Sequence, residues 1–335
     1  MAAREGIARL EQYGYTPDEA GFLYLAALHS GYFLRRQFNE FLGQERGANA
    51  QRFVEKLVAR RHAQRERYQV NQFVYHIRGK GIYSRLGQVD NRNRREKTPF
   101  SVKRKLMCLD FVLAHLDHKF LATEAEKVEY FVVERGIDVE SLPSRRYQSH
   151  STTETTERFF IEKFPMYLDA SSSSQAAPVV HFAYVDEGVQ SLEGFTTFAR
   201  QYRRLFEALR HFEVVYVGTE SRWFARAEAI LRNQFPGTST VTPLSPEARE
   251  LIDYFEARRK FETRDFRGLD TSRIVQYRQE KLKFAGDAND QLYRRWLDGG
   301  TNALYPQSGG THQARFRPHL LTHEYGMFGG IQHAS

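Results

Sequence analysis

Apolar residues recur at helical spacing from Phe22 to Leu28 (Phe22, Leu23, Leu25, Ala26, Leu28), and Thr16-Pro17-Asp18-Glu19 supplies a helix start in front of them. Thr is the cap, Pro takes the first helical position and the acids sit in the first turn. The pattern stops near Ser30-Gly31 and is followed by an apolar turn, Tyr32-Phe33-Leu34. A second helix is predicted over 35–42, ending at Gly43. A third, over 50–61, follows Gly47-Ala48-Asn49. Its Phe53, Val54, Leu57 and Val58 share one face, while Gln51, Arg52, Glu55, Lys56 and Arg60 take the other. The period then changes to two. Residues 62–68 and 73–77 read as strands joined at Gln69–Gln72, with Phe73, Tyr75 and Ile77 alternating against Val74, His76 and Arg78. Gly79-Lys80-Gly81 ends the second strand.

Three short helices and a hairpin follow the order of a winged helix-turn-helix. Further along, Leu106, Leu109, Val112, Leu113 and Leu116 predict a helix over 101–116. Strands are expected at 127–133, 166–168, 179–185 and 213–217, and helices at 192–212, 222–235, 246–262 and 271–298. Strand and helix in alternation argue for an α/β layer. The tail, 299–335, shows little pattern. The expected fold is therefore mixed α and β in four parts. A winged helix-turn-helix (1–88) leads, then a basic connector with its helix (89–120), an α/β domain (121–245), and C-terminal helices with a Gly/His-containing tail (246–335).

Length supports this division, since 335 residues exceed a comfortable single core. The longest apolar runs, such as Gly21–Ala27, are far too short to span a bilayer, and Met1–Ala20 has no export-signal character. The one cysteine, Cys108, falls in a helical apolar pattern and reads as a small buried hydrophobe. A cytoplasmic protein without membrane contact is expected. Charge changes the picture more. Residues 1–110 carry 21 Lys and Arg against 11 Asp and Glu, whereas the rest of the chain carries 28 against 30. A basic excess confined to one module points to a polyanionic partner, double-stranded DNA first of all.

The helix after Gly47 would enter the major groove, making Asn49, Gln51, Arg52 and Lys56 the candidates for base edges and nearby phosphates. Arg35, Arg36 and Gln37 open the preceding helix and suit a phosphate. The hairpin would lay Arg65, Arg67 and Asn71 along the backbone or into the minor groove. Lys80 and Arg85 extend that edge, Arg78 is a further candidate, and Arg92, Arg94 and Arg95 add cations in the connector.

Other chemistry is weaker. Asp169, Asp186, Glu187 and Glu220 lie beside predicted strands, where Mg²⁺-dependent nucleases hold metal. The acid-x-Lys such enzymes need on a central strand is absent, and Val179–Val185 carries no charge. Asp186-Glu187-Gly188 reads as a polar turn. His312, His319, His323 and His333 lack compact metal-site spacing. Phosphate-loop, nucleophile-elbow and dinucleotide motifs are absent. No cofactor, metal or catalytic residue is expected.

The Thr16–Leu28 helix, the short helix ending at Gly43, the Asn49–Arg61 helix and the Arg65–Arg78 hairpin together resemble, over residues 15–85, the winged-helix module of replication-relaxation proteins. Plasmids and integrative mobile elements encode that family. The resemblance implies that a degenerate restriction-endonuclease-like α/β core follows the module, a place that the strand and helix order of Val179–Phe235 suits. The expectation is a non-catalytic DNA-binding protein of a mobile element, acting in replication, mobilisation or transcription. It would work as a homodimer, with residues 121–335 open to a protein partner. A Mg²⁺-dependent nuclease and a winged-helix adaptor for proteins are the alternatives.

Overall fold

The computed structural model describes residues 3–44, 47–69, 72–148, 155–160, 164–168, 178–188, 191–209, 211–236, 238–240, 245–262, 271–304, 313–323 and 325–328. Helix α1 (Ala3–Glu11) packs on α2 (Pro17–His29). A capping box starts α2: the Thr16 hydroxyl accepts from Glu19 N, and the Glu19 carboxylate accepts from Thr16 N. The stretch expected as an apolar turn is a strand, β1 (Tyr32–Phe33), ahead of α3 (Arg35–Phe41) and α4 (Ala48–Ala59). Strands β2 (Ala63–Gln69) and β3 (Gln72–Ile77) form the hairpin, and β3 pairs antiparallel with both others in the order β1-β3-β2. Phe22, Phe33, Phe38, Phe53, Tyr75 and Ile77 are buried together between the helices and one face of this sheet. The Phe22 ring meets Phe33, Phe38 and Phe53 edge-on at 5.3, 5.1 and 5.9 Å. Gly79-Lys80-Gly81 does more than end a strand, because Lys80 opens the short helix α5 (Lys80–Arg85).

The connector is a wall shared by two cores. Thr98 caps α6 (Pro99–Leu113), whose Leu109 and Leu113 complete the N-terminal core. Its Leu106, Met107, Cys108 and Phe111 enter the larger core behind. Burial pushes the Cys108 thiol up to about 11.

The second half carries β4 (Lys119–Phe120), α7 (Glu124–Val128), and a hairpin of β5 (Ser144–Gln148) and β6 (Thr155–Phe159). Then come β7 (Met166–Leu168), β8 (Val180–Val185), α8 (Ser191–Gln201), α9 (Arg203–Leu209), β9 (His211–Gly218), α10 (Phe224–Gln234) and β10 (Ser239–Thr240). Helices α11 (Pro246–Glu262), α12 (Thr271–Lys283) and α13 (Asp287–Leu304) precede the last strand, β11 (Gln313–Leu320). Strands β10-β11-β9-β8-β7-β4 make one sheet in that order, parallel from β10 to β8 and antiparallel beyond.

Four expectations are corrected. The strand at 127–133 is α7 running into a π-helical turn, Glu129–Glu134, because a capping box between Thr123 and Glu126 nucleates helix there. The helix at 192–212 is two, interrupted at Tyr202. The helix at 271–298 is also two, parted before Gly286, which adopts φ 134°. The tail is not patternless: β11 fills the sheet between β9 and β10, so residues 246–335 are not a separate helical part. Helices α11–α13 keep a small core of their own around Tyr254, Phe255, Tyr293 and Trp296. Among the described residues no helix is long and apolar enough to cross a membrane.

Candidate nucleic-acid interface

Helix α4 starts after Gly47 and buries Ala50, Phe53, Val54 and Leu57, which leaves Asn49, Gln51, Arg52 and Glu55 exposed. At the start of α3, Arg35 donates to Gln51 Oε1 at 2.7 Å, and Gln51 in turn donates to Glu55 at 2.5 Å. On β2, Arg65 stands opposite Tyr75 and lies over the Phe73 ring, 4.7 Å from its centroid. Burial raises the Tyr75 hydroxyl pKa, and the charges it senses are Arg65, Arg35 and Glu55. The start of α3, the exposed side of α4 and the helix-side face of β2 therefore converge. Arg67, two residues beyond Arg65, is exposed on that same face of β2. Among the described residues no carboxylate lies within salt-bridge distance of Arg35, Arg52 or Arg65.

Other expected contacts are spent inside the molecule. Arg36 makes a two-point pair with Asp110, at 2.7 and 2.6 Å. Gln37 is fully buried: it accepts from Leu34 N and donates to Leu106 O and the Asp110 carboxylate. Gln37 is thus closed to a phosphate, and both ends of the Arg36 guanidinium are engaged by Asp110. Lys56 is engaged by Glu19 at 2.5 Å and lies over the Tyr15 ring. Asn71 falls outside the described residues. Arg78 donates to Gln64, and Lys80 is exposed at the start of α5. The connector lies across the opposite face of the N-terminal sheet, where Asn93 O accepts from His76 Nε2 at 2.9 Å. Arg92 there reaches the Tyr147 hydroxyl, Arg94 folds back onto Val89 O, and Arg95 is exposed.

Asp110 is the hub of this arrangement. The Tyr325 hydroxyl also donates to it, bringing the segment after β11 against α3 and α6. Phe328 continues to the Tyr68 ring on β2, at 4.9 Å.

The α/β half holds a polar layer that the sequence reading missed. His181 on β8 donates Nδ1 to Glu213 on β9 at 2.9 Å, and Arg317 on β11 approaches the same carboxylate at 2.7 Å. Tyr167 stacks on His181 at 4.5 Å and meets His115 and His118 from the turn that follows α6. Burial alone would raise the Glu213 pKa, but the His181 hydrogen bond and the Arg317 charge hold it below its ordinary value. One signal was available: a lone His and a lone Glu inside otherwise apolar strands, VVHFAYV and HFEVVYVG.

The acids at the strand ends are occupied differently. Asp186 accepts from the Tyr216 hydroxyl and Gly188 N, Glu187 faces Arg104 at 3.9 Å, and Glu220 pairs with Arg222. Asp169 falls outside the described residues, as do His312 and His333. Among the described residues the one group spaced to share a cation is Glu40, Asp110 and His323. Asp110 already accepts four hydrogen bonds from Arg36, Gln37 and Tyr325, two on each of its oxygens. No known protein family, curated protein or solved structure matches the chain.

Proposed function

We propose that this chain binds double-stranded DNA through its N-terminal module, used as a winged helix, without catalysing a reaction on it. The order α2–β1–α3–α4–β2–β3 with sheet order β1-β3-β2 supports the reading. It makes α4 the helix for the major groove and the β2–β3 hairpin the wing. The observation that carries it is the single surface shared by Arg35, Asn49, Gln51, Arg52, Arg65 and Arg67. Asn49, Gln51 and Arg52, early in α4, offer the donors and acceptors that base edges recognise, while the arginines of α3 and β2 suit phosphates. The resemblance to replication-relaxation proteins extends the reading to replication or mobilisation of a plasmid or related element. A homodimer would present two copies of α4 about one helical turn apart.

Selection of duplexes from a random pool, followed by fluorescence anisotropy across a salt series, tests this. Arg52→Ala should cost about 1–3 kcal/mol on the selected site and relax its sequence preference. Arg65→Ala should weaken all sequences alike and reduce the log–log salt slope by about one. Variants that bind with wild-type affinity and slope would defeat the assignment of this surface.

A further inference from the structure

The first cationic surface lies on the helix side of the N-terminal sheet. A second lies beyond its other face and is built by different elements. The connector is fixed against that face: His76 Nε2 and Lys97 N donate to Asn93 O and to the Tyr32 hydroxyl respectively, at 2.9 and 3.0 Å. Asn93 Nδ2 donates to Ala27 O and Leu28 O. The fit is close enough that a Cβ at Gly31, whose φ is 82°, would stand 2.5 Å from Asn93 O. From the other side, β5 of the α/β half reaches the same connector. Arg92 Nη1 donates to the Tyr147 hydroxyl at 3.2 Å, and its guanidinium lies 4.8 Å from that ring's centroid. Arg145 lies 5.6 Å from the same ring, so one tyrosine binds two arginines from separate elements.

Arg92, Arg95, Lys97 and Arg145 thus gather where front and back halves meet. Burial depresses the Lys97 ammonium, and the charges of Arg95, Arg92 and Arg104 depress it further. Among the described residues no carboxylate lies within salt-bridge distance of Arg92, Arg95, Lys97 or Arg145. Nearby acids are directed elsewhere. Glu157 sits 3.6 Å from Arg146, and the Glu96 charge is felt at Glu66, Tyr68 and His76. Like charges crowded this way repel one another until an anion arrives. They are spread along a connector and a hairpin, so an extended polyanion suits them better than a compact ion.

We propose that the connector and the β5–β6 hairpin form a second phosphate-binding surface, through Arg92, Arg95, Lys97 and Arg145, that grips the same duplex outside the site read by α4. The inference rests on the duplex-binding reading above and adds to it that the α/β half touches DNA directly. Its consequence is a longer footprint than the N-terminal module makes alone, with the β2–β3 hairpin lying between the two grips.

The test compares a duplex of about 12 base pairs, enough for one recognition helix and its flanks, with one of about 30, which extends over further helical turns. Affinity is measured by anisotropy across a salt series for the full chain, for Arg52→Ala, for Arg145→Gln, and for Arg95→Ala/Lys97→Gln/Arg145→Gln. The triple variant should keep wild-type affinity for the short duplex, which also reports that it is folded. On the long duplex its salt slope should fall by about three, at 0.9 per phosphate released, and Arg145→Gln alone should lower it by about one. An unchanged long-duplex slope, with Arg52→Ala still weakening both lengths, overturns the second surface and leaves the first standing. Equal losses on both lengths, in a variant whose near-ultraviolet dichroism is native, also overturn it, because the patch then belongs to the first site. Wild-type protein that binds neither length removes both readings.

Discussion

Asp110 shows how much a single residue decides in this molecule. Its carboxylate is buried, takes both ends of Arg36, and adds Gln37 and Tyr325, so three separate segments meet on it. Asp110→Ala should destabilise the fold by about 3 kcal/mol, the lower end for a broken buried pair, because the Arg36 side chain keeps 32% exposure and regains some water. Urea unfolding measures this, and a loss near zero would mean that the hub carries no stability. Glu213 gives a pH dependence with a definite sign. Its folded pKa is lowered, so its contribution is complete above the unfolded value and is lost as pH falls through the folded one. Three histidines act in the same direction, His29 and His76 buried and His319 half-buried. Burial lowers His29 to about 3, and His76 and His319 to about 4, from an ordinary 6.5. Each must charge on unfolding below about pH 6.5, so stability should decline from there towards about pH 4. A urea midpoint that stays level over that range would contradict it. Glu213→Gln should lose stability at neutral pH but show a shallower decline below the usual glutamate range.

At the scale of elements, what was legible depended on how local the determinant is. The capped α2, the amphipathic α4 and the alternating β3 each write their period and their stops within about a dozen residues, which is the range a sequence pattern covers. Residues 127–133 carry β-branched and aromatic side chains that suit a strand, yet a capping box upstream decides for helix. Strand β11 was hidden for another reason. In β11 Ala314 and Phe316 turn to the buried helix side, while Arg315, Arg317 and His319 line the polar face shared with Glu213 and His115. Arginines inside a strand mask the alternation. The candidate site divides the same way. Residue types at Arg35, Gln51 and Arg65 could be read directly. That Arg36 and Gln37 are consumed by Asp110 depends on a partner more than seventy positions away, which no local pattern carries. If β11 is the interior strand described, Phe316→Ala should cost about 3 kcal/mol, as for other buried aromatic truncations. Removing residues 313–335 should abolish cooperative unfolding. A truncated chain with a native near-ultraviolet spectrum would show that the sheet does not need the strand.

Across the whole molecule, front and back are tied at several places, and this fixes how they unfold. Helix α6 gives Leu109 and Leu113 to the N-terminal core and Leu106, Met107 and Phe111 to the other. Asn93 fastens the connector to α2, and Tyr325 and Phe328 carry the end of β11 onto α3, α6 and β2. A cavity on one side of α6 should therefore weaken both sides, because the helix cannot leave one core while remaining in the other. Leu109→Ala removes a fully buried side chain from the front core alone and should cost about 3 kcal/mol. Native-state hydrogen exchange reads the result at two distant amides, Phe22 in α2 and Val215 in β9. In the wild type their opening free energies should agree, and in Leu109→Ala both should drop by the same amount. A drop confined to Phe22 would mean that the module opens on its own. By the same linkage, if the proposed duplex site is right, a saturating duplex should slow exchange at Val215 as much as at Phe22, since ligand bound only to the folded state protects everything that unfolds with its site.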